Sequence, residues 1–237
     1  MAPSATATRR ALQPLLSALD AHLGPRVARG ALLCVSGGSD SRALLEAAAR
    51  WPGRACGELV VASVDHGTRR DGAHEARAVA ALAWARGFSA HVLTLAGTAS
   101  SEGALRDARD AALAALAARL GLGTLVVAHH EGDVAEGVVL SWLGHGGGPG
   151  GAAPPRVTAR DGLEVVRPFL QLPRAVLRAA LSALGAVGWI DDPEASSARA
   201  RVRRLLAAVG RGGDLAGPLA RAAARSPPPA SPPTSCR

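Results

Sequence analysis

The sequence of 237 residues contains no lysine and no asparagine, so all 27 of its Lys+Arg side chains are arginine. Without lysine, the chain has neither the Gly-Lys-Ser/Thr sequence of a Walker-type phosphate loop nor the amine that Schiff-base chemistry requires. Aromatic residues make up only 3% of the chain, whereas apolar residues, many of them alanine and leucine, reach 48%. This composition favours alanine-rich helices around a sheet over an aromatic-rich β-sandwich.

Cysteine and long apolar runs are also scarce. The three cysteines, Cys34, Cys56 and Cys236, form no Cys-x-x-Cys pair. Such a scattered set argues for a reducing compartment and against a zinc or iron–sulfur site. The sequence shows no signal-peptide hydrophobic region and no apolar run of about 18 residues, the length that a membrane span needs. We therefore expect a soluble, cytoplasmic protein without a membrane partner.

The strongest functional signal is a turn of six residues, Ser36-Gly37-Gly38-Ser39-Asp40-Ser41. It lies between an apolar run at 31–35, predicted as a buried strand, and a predicted helix at 42–49. Backbone amides, the positive end of the helix dipole and two glycines would form an anion cradle here. The serine hydroxyls can donate to phosphate oxygens, and Asp40 can hold Mg²⁺. The sequence predicts a pyrophosphate site; a serine/glycine turn that binds nothing is the alternative.

Strand and helix patterns alternate through the first 150 residues. After a leading helix within residues 1–30, strands are predicted at 31–35, 59–65, 91–95 and 124–129, and helices at 42–49, 73–86, 102–120 and 133–143. Strict alternation predicts an α/β fold, a Rossmann-like parallel sheet with helices on both faces. Ligands bind such folds beyond the carboxyl ends of the strands, where the six-residue turn, Asp65-His66-Gly67 and His129-His130 fall.

The chain is long enough for one α/β domain with an appendage. We expect a nucleotide-binding α/β domain with a leading helix at residues 1–150. A basic, mostly helical extension at 151–225 would complete the catalytic domain, and a proline-rich tail at 226–237 would be disordered.

Positive charge is concentrated in the second part of the chain. The net charge is +8; residues 1–150 carry 14 Arg against 13 Asp and Glu, and residues 151–237 carry 13 Arg against 6. This asymmetry predicts a polyanionic partner that docks on the C-terminal part. A genomic base bias towards arginine is the alternative explanation.

The pattern Ser-Gly-Gly-x-Asp-Ser after a strand resembles the PP-loop of the ATP pyrophosphatases, enzymes that split ATP into AMP and pyrophosphate. Five further motifs follow it in order: Val64-Asp65-His66-Gly67-x-Arg69, Arg106-x-x-Arg109, Ala128-His129-His130-x-x-Asp133-x-x-Glu136, Arg167-Pro168, and Asp191-Asp192-Pro193 with Arg199-x-Arg201-Val202-Arg203. Together they resemble the tRNA(Ile)-lysidine synthetases from residue 28 to 206. That family activates the C2 carbonyl of a tRNA wobble cytidine with ATP; the amine of free lysine then displaces AMP to form lysidine.

The resemblance implies four sets of site residues, for ATP, catalysis, tRNA and a metal ion. ATP would be bound by Ser36, Gly37, Gly38, Ser39, Asp40, Ser41, Val64, Asp65 and His66. Catalysis would involve Asp40, Asp133, Glu136, Arg106 and Arg109, and tRNA would be held by Arg167, Arg199, Arg201 and Arg203. Asp40 and Asp133 would share Mg²⁺, because adenylation needs a metal and cations where pyrophosphate departs. The implied cofactors are ATP and Mg²⁺, and the implied partners are tRNA and free lysine. The oligomeric state stays open, a homodimer included.

These residues also have structural interpretations that bind no ligand. Either aspartate of the metal pair can cap a helix, and His66 can be a structural histidine at a strand end. The two arginines of the second motif share a helix face and can pair with Glu102 and Asp110 in solvent. The arginines of the last motif can likewise form a solvated helix face.

The sequence departs from the family pattern most clearly after the fourth predicted strand. Gly132 replaces an aspartate, Val134 a glutamine and Gly137 a threonine. Losing one carboxylate removes a potential metal ligand or base. We expect an active enzyme, with two alternatives: a catalytically impaired homologue that binds nucleotide or RNA, and a PP-loop enzyme that modifies tRNA with another acceptor. Thiolation ranks low, because thiolation enzymes of this type commonly carry cysteine pairs.

Overall fold

A computed structural model of the protein describes residues 4–67, 71–95, 102–143, 154–160, 162–189 and 198–209, together with 217 and 219. Arg69, the Asp191-Asp192-Pro193 motif and the predicted tail at 226–237 lie outside the described residues. In the part of the chain that is described, every helix is too short or too polar to span a membrane.

The described strands form one six-stranded sheet in the order β3-β2-β1-β4-β6-β5. They are β1 Ala31–Cys34, β2 Leu59–Asp65, β3 Ser89–Thr94, β4 Thr124–Val127, β5 Val157–Arg160 and β6 Leu163–Val166. All neighbouring pairs are parallel except the edge pair β5–β6, which is antiparallel. The predicted α/β class with a mostly parallel sheet is therefore confirmed.

Seven α-helices are described: α1 Ala5–His22, α2 Ser39–Arg50, α3 Gly72–Ala85, α4 Glu102–Arg119, α5 Glu131–Trp142, α6 Arg174–Ala183 and α7 Ala198–Val209. Local sequence explains several of their ends. Ser4 caps α1, since its Oγ accepts a hydrogen bond of 3.2 Å from the Ala7 amide. Pro173 fits the N-terminal boundary of α6, where a missing N–H costs no helical hydrogen bond.

Helices cover both faces of the sheet because strand side chains alternate between the two faces. Leu33 and Val61 belong to one buried cluster, to which α1, α2, α3 and α6 contribute. Leu32 and Val60 belong to the other, which is filled by α4 through residues such as Leu116. This alternation of nearly continuous apolar strands is typical of a parallel sheet buried on both sides.

The chain forms two compact units. Residues 1–129 and 155–191 make up one unit, and residues 130–154 and 192–237 make up the other. The first contains all six strands with α1 to α4 and α6, and the second contains α5 packed with α7. The sequence-based domain boundaries at 150 and 225 stay a prediction.

The β5–β6 hairpin lies within the segment after residue 150 that the sequence predicts to be mostly helical, and it was not itself predicted. Each strand has only four residues, and the charged Arg160 and Glu164 interrupt the apolar pattern. Pairing supplies the strand conformation that the local pattern does not indicate, because strand preference depends strongly on tertiary context. The pair Val165–Leu125, for example, joins β6 to β4.

Candidate functional site

The turn between β1 and α2 has one position, Gly37, whose backbone conformation favours glycine. Gly37 has a φ of +86°, a left-handed conformation that glycine adopts without a steric penalty. Gly38 is the N-cap of α2 and contributes no side-chain cap. The Ser41 hydroxyl holds the turn from inside: it donates to the Gly38 carbonyl over 3.0 Å and accepts from the Ser36 amide over 3.2 Å. The turn is thus a closed loop of backbone that leads directly into a helix N-terminus.

The position of this turn in the sheet is that of a ligand site. Strand β1 lies between β2 and β4, so the connections from β1 and from β3 lead to opposite sides of it. Such a switch in strand order leaves a crevice beyond the carboxyl ends, where α/β folds bind ligands. Amides and hydroxyls at the positive end of a helix dipole are suited to phosphate oxygens. The described turn therefore fits the pyrophosphate group predicted for it.

Sequence reasoning missed one contact of this turn. Arg174, the first residue of α6, donates from Nε to Asp40 Oδ1 over 3.2 Å and from Nη2 to Ser39 Oγ over 3.1 Å. The partners are 134 and 135 residues apart in the chain. The absence of lysine showed that any cation here had to be an arginine, but nothing distinguished Arg174 from its many neighbours.

The Asp65-His66-Gly67 segment follows β2, next to β1. Asp65 is 7% exposed, and its Oδ1 accepts a hydrogen bond of 2.9 Å from the Gly67 amide. Gly67 is left-handed, with a φ of +68°. A Cβ at Gly72 would lie 2.5 Å from Asp65 Oδ1, so the start of α3 packs closely on this carboxylate. Asp65 stabilises the turn; the predicted roles of Val64, Asp65 and His66 in binding ATP stay predictions.

In the second unit, Asp133 closes the N-terminus of α5. Its Oδ2 accepts from the His130 amide over 2.9 Å, while His130 Nδ1 accepts from the Gly132 amide over 2.9 Å. These reciprocal bonds are a capping box, in which each side chain satisfies a backbone amide that lacks a helical partner. The structural interpretation of Asp133 is therefore observed.

The metal role predicted for Asp40 and Asp133 stays a prediction. The described residues contain no group of three or more His, Cys, Asp or Glu side chains that could hold a metal ion. The observed partners of Asp40 include a guanidinium, which orients the carboxylate from one side.

Glu136 and Arg203 form a bidentate ion pair between α5 and α7. Arg203 Nε lies 2.6 Å from Oε1 and Nη2 lies 3.1 Å from Oε2, while Glu136 is 3% exposed. Two parallel charge-assisted bonds are the strongest geometry for such a pair. The guanidinium predicted to hold tRNA is thus bonded to the carboxylate predicted for catalysis. Arg201 is exposed on α7, and the side chain of Arg199 lies outside the described part.

The remaining predicted arginines lie in the first unit. Arg109 pairs with its neighbour Asp110 at 2.7 Å, and Arg106 is exposed on α4. Arg167 follows β6 and donates from Nη1 to Thr158 Oγ1 over 2.9 Å, which fixes the β5–β6 hairpin. Burial lowers the pKa of Arg167, although the nearby Asp110 opposes this. The alternative of a solvated helix face expects the pairing of Arg109 with Asp110. The functional roles of these arginines stay predictions.

Cys34, at the end of β1, is not a reactive thiol. Burial raises its pKa to about 12, and the charge of Arg109 only partly opposes this. Because the thiolate is the nucleophilic form, this cysteine is inert near neutral pH.

The sheet is mostly parallel and is covered by helices on both faces, and the glycine turn lies where the strand order switches. These features define an α/β protein suited to binding phosphate. The sequence profile of one family, described as a PP-loop domain, matches residues 8–209, and the chain belongs to this family. The predicted resemblance to PP-loop proteins is therefore confirmed.

Curated relatives carry the name tRNA(Ile)-lysidine synthase. The one from Methylobacterium nodulans is 42% identical over 218 residues, which cover 87% of this chain and 62% of the relative. The one from Bradyrhizobium diazoefficiens is 39% identical over 202 residues, covering 82% of this chain and 56% of the relative. The chain thus spans about three-fifths of the length of the curated relatives it matches.

A solved structure shares the fold at low identity. The U34-tRNA thiolase NcsA from Methanococcus maripaludis, with its [4Fe-4S] cluster, aligns with a TM-score of 0.72 and 14% identity. The alignment covers 92% of this chain and 79% of that chain. This likeness is one of fold alone.

Proposed function

We propose that the protein adenylates the wobble cytidine of tRNA(Ile) with ATP and joins free lysine to it, in the cytoplasm, with Mg²⁺ as cofactor. The observation that carries the proposal is the turn Ser36–Ser41, which sits at the sheet's switch point and has the PP-loop sequence. The choice of substrate is supported by relatives named tRNA(Ile)-lysidine synthase, which are 42% and 41% identical in sequence to this chain.

The chemistry has two steps, and the turn serves the first. The cytidine O2 attacks the α-phosphate of ATP, a bond from oxygen to phosphorus forms, and the bond to pyrophosphate breaks. The lysine amine then attacks C2, loses a proton, and AMP leaves with the electron pair of the C–O bond. Turn amides and the serine hydroxyls would stabilise the charge that develops on departing pyrophosphate. Mg²⁺, when bound, would neutralise part of the same charge.

A binding module without turnover is the second candidate. It is favoured by Gly132, which stands where the family pattern has an aspartate, and by the bonds that already engage Asp133 and Glu136. Transfer of sulfur is disfavoured, since the sequence has no Cys-x-x-Cys pair.

The test is ATP turnover by the purified protein with a tRNA(Ile) transcript, with and without lysine. We expect tRNA-dependent pyrophosphate release and lysine-dependent lysidine, detected by mass spectrometry of the digested tRNA. AMP formation with tRNA but no lysidine would indicate another acceptor. Binding of tRNA without AMP formation would support the binding module.

The variant Asp40→Ala tests whether the turn carries this activity. We expect turnover to fall by at least about 100-fold, because electrostatic stabilisation of the leaving group is lost at its anchor. Asp107→Ala, which removes a carboxylate exposed on α4, is the matched control and should keep full turnover. Wild-type turnover in Asp40→Ala would contradict the role of the aspartate.

A further inference from the structure

Arg174 joins α6 to the PP-loop turn through two side chains of that turn. Its Nε lies 3.2 Å from Asp40 Oδ1, and its Nη2 lies 3.1 Å from Ser39 Oγ. The guanidinium side chain is 27% exposed and the Asp40 side chain 25%, so the pair is half-buried and in reach of solvent. A planar guanidinium can hold two acceptors at fixed angles and still present further N–H groups.

The place of Arg174 in its own helix is unfavourable. It is the first residue of α6, and the first turn of this helix carries no acidic residue. A cation at a helix N-terminus faces the positive end of the dipole, where an acid would be stabilising. The helix dipole therefore does not favour this arginine, whereas its bonds to Asp40 and Ser39 on α2 do.

The charge of the turn depends on the same contact. Asp40 alone would give the turn a negative charge, which repels a triphosphate. Arg174 compensates that charge, and the chain has no lysine that could do so. A flexible ammonium would in any case not fix two acceptors at once, as a fork of N–H donors does.

We propose that Arg174 is a positioning residue of the nucleotide site, which fixes the Ser39 hydroxyl and the Asp40 carboxylate within the phosphate-binding turn and compensates the Asp40 charge. This inference rests on the proposed function in one respect, namely that the turn binds the phosphates of ATP. It adds a residue of α6 to a site that the sequence placed in the turn and at Val64, Asp65 and His66.

Calorimetric titration with three ligands tests the proposal. Mg-ATP, Mg-pyrophosphate and adenosine are titrated into the wild type, Arg174→Ala, Arg174→Lys and the control Arg178→Ala, which removes an exposed arginine of the same helix. We expect Arg174→Ala to weaken the binding of Mg-ATP and Mg-pyrophosphate about 10- to 100-fold, the range of lost charge-assisted bonds, while adenosine binding changes less than about 3-fold. Arg174→Lys should recover part of the affinity, and Arg178→Ala should bind as the wild type does.

A double-mutant cycle with Asp40→Ala separates positioning from direct phosphate contact. If Arg174 acts through Asp40, its removal in the Asp40→Ala background weakens Mg-pyrophosphate binding by less than about 3-fold. An undiminished loss would contradict the positioning role, and equal losses for adenosine and Mg-ATP would reduce Arg174 to a general structural role. Unchanged binding in Arg174→Ala, with a wild type that binds Mg-ATP, would overturn this inference alone. A wild type that binds neither Mg-ATP nor Mg-pyrophosphate would contradict the proposed function as well.

Discussion

At the scale of single residues, Glu46 shows how the helix behind the turn is held. Glu46 is 1% exposed in the second turn of α2 and accepts hydrogen bonds from three arginines: Arg42 at 3.1 Å, Arg50 at 2.6 Å and Arg86 at 2.9 Å. Burial alone would raise the pKa of Glu46, but the bonds from Arg86 and Arg50 more than reverse this and lower it to about 2. Since Arg86 follows α3, the cluster ties α3 to the helix that carries the PP-loop turn.

The first prediction concerns the pH dependence that Glu46 creates. Because the folded pKa lies below the ordinary value of 4.5, the stabilisation is present above that value and is lost as the pH falls towards about 2. A shift of this size corresponds to about 3 kcal/mol. Glu46→Gln should therefore lower the free energy of unfolding by about 3 kcal/mol at pH 7. Urea unfolding at pH 7, 5 and 3 measures it, and the gap between variant and wild type should narrow at pH 3.

The exposed Glu58 supplies the matched control for this measurement. Glu58→Gln makes the same chemical change without removing an ion pair of the cluster, so it should alter stability by less than about 0.5 kcal/mol. Equal unfolding free energies for Glu46→Gln and the wild type at pH 7 would show that the cluster does not stabilise the fold.

At the scale of elements, the N-terminus of α5 explains how Gly132 fits its place. A Cβ at this position would lie 2.6 Å from His130 Cε1, closer than real Cβ contacts come. The histidine ring therefore occupies the space of a side chain at 132, where it caps the helix. An aspartate at this position would require the histidine ring to shift from the place it has in this cap.

The prediction for α5 is that Gly132→Ala changes the stability of this helix in opposite directions in the presence and absence of the His130 side chain. Gly132→Ala should destabilise α5 by about 1 kcal/mol, because the new methyl group expels the capping ring. In the background His130→Ala the clash is absent, and the same change should stabilise the helix by up to about 1 kcal/mol, the helix preference of alanine over glycine. Hydrogen exchange of the α5 amides measures both local free energies. Destabilisation of equal size in both backgrounds would contradict the steric account.

Elements were predicted from the sequence where one periodic pattern decides them. The strands β1 to β4 and the helices α1 to α5 lie within a few residues of the predicted ranges, because apolar runs and helical spacing are local signals. The turn was located for the same reason. The contacts of Arg174 with Asp40 and of Arg203 with Glu136 were not predicted, since they join residues 134 and 67 positions apart. Such pairing depends on how helices pack, which no local pattern contains.

At the scale of the whole molecule, net charge is the property that most directly concerns a polyanionic partner. The chain carries +8, and nearly all of the excess comes from residues 151–237. The number of arginines overstates the positive charge that can contact phosphates. An arginine in a bidentate ion pair is neutralised by its carboxylate partner. In α7, Arg203 is paired in this way with Glu136, although 45% of its side chain is exposed. Arg201 is also exposed on this helix.

The last prediction compares Arg201 and Arg203, two arginines of one helix. Each phosphate contact adds about 0.7 to 0.9 to the slope of log affinity against log salt concentration. Arg201→Gln should therefore reduce the slope for tRNA binding by about that amount, without a change in stability. Arg203→Gln should leave the slope nearly unchanged and instead destabilise the α5–α7 pair by about 1 to 3 kcal/mol, since it removes the bidentate partner of the buried Glu136 carboxylate. Filter binding at four salt concentrations, with hydrogen exchange of α5 and α7, separates the two effects. A loss of slope in Arg203→Gln equal to that in Arg201→Gln would show that the Glu136 pair opens when tRNA binds.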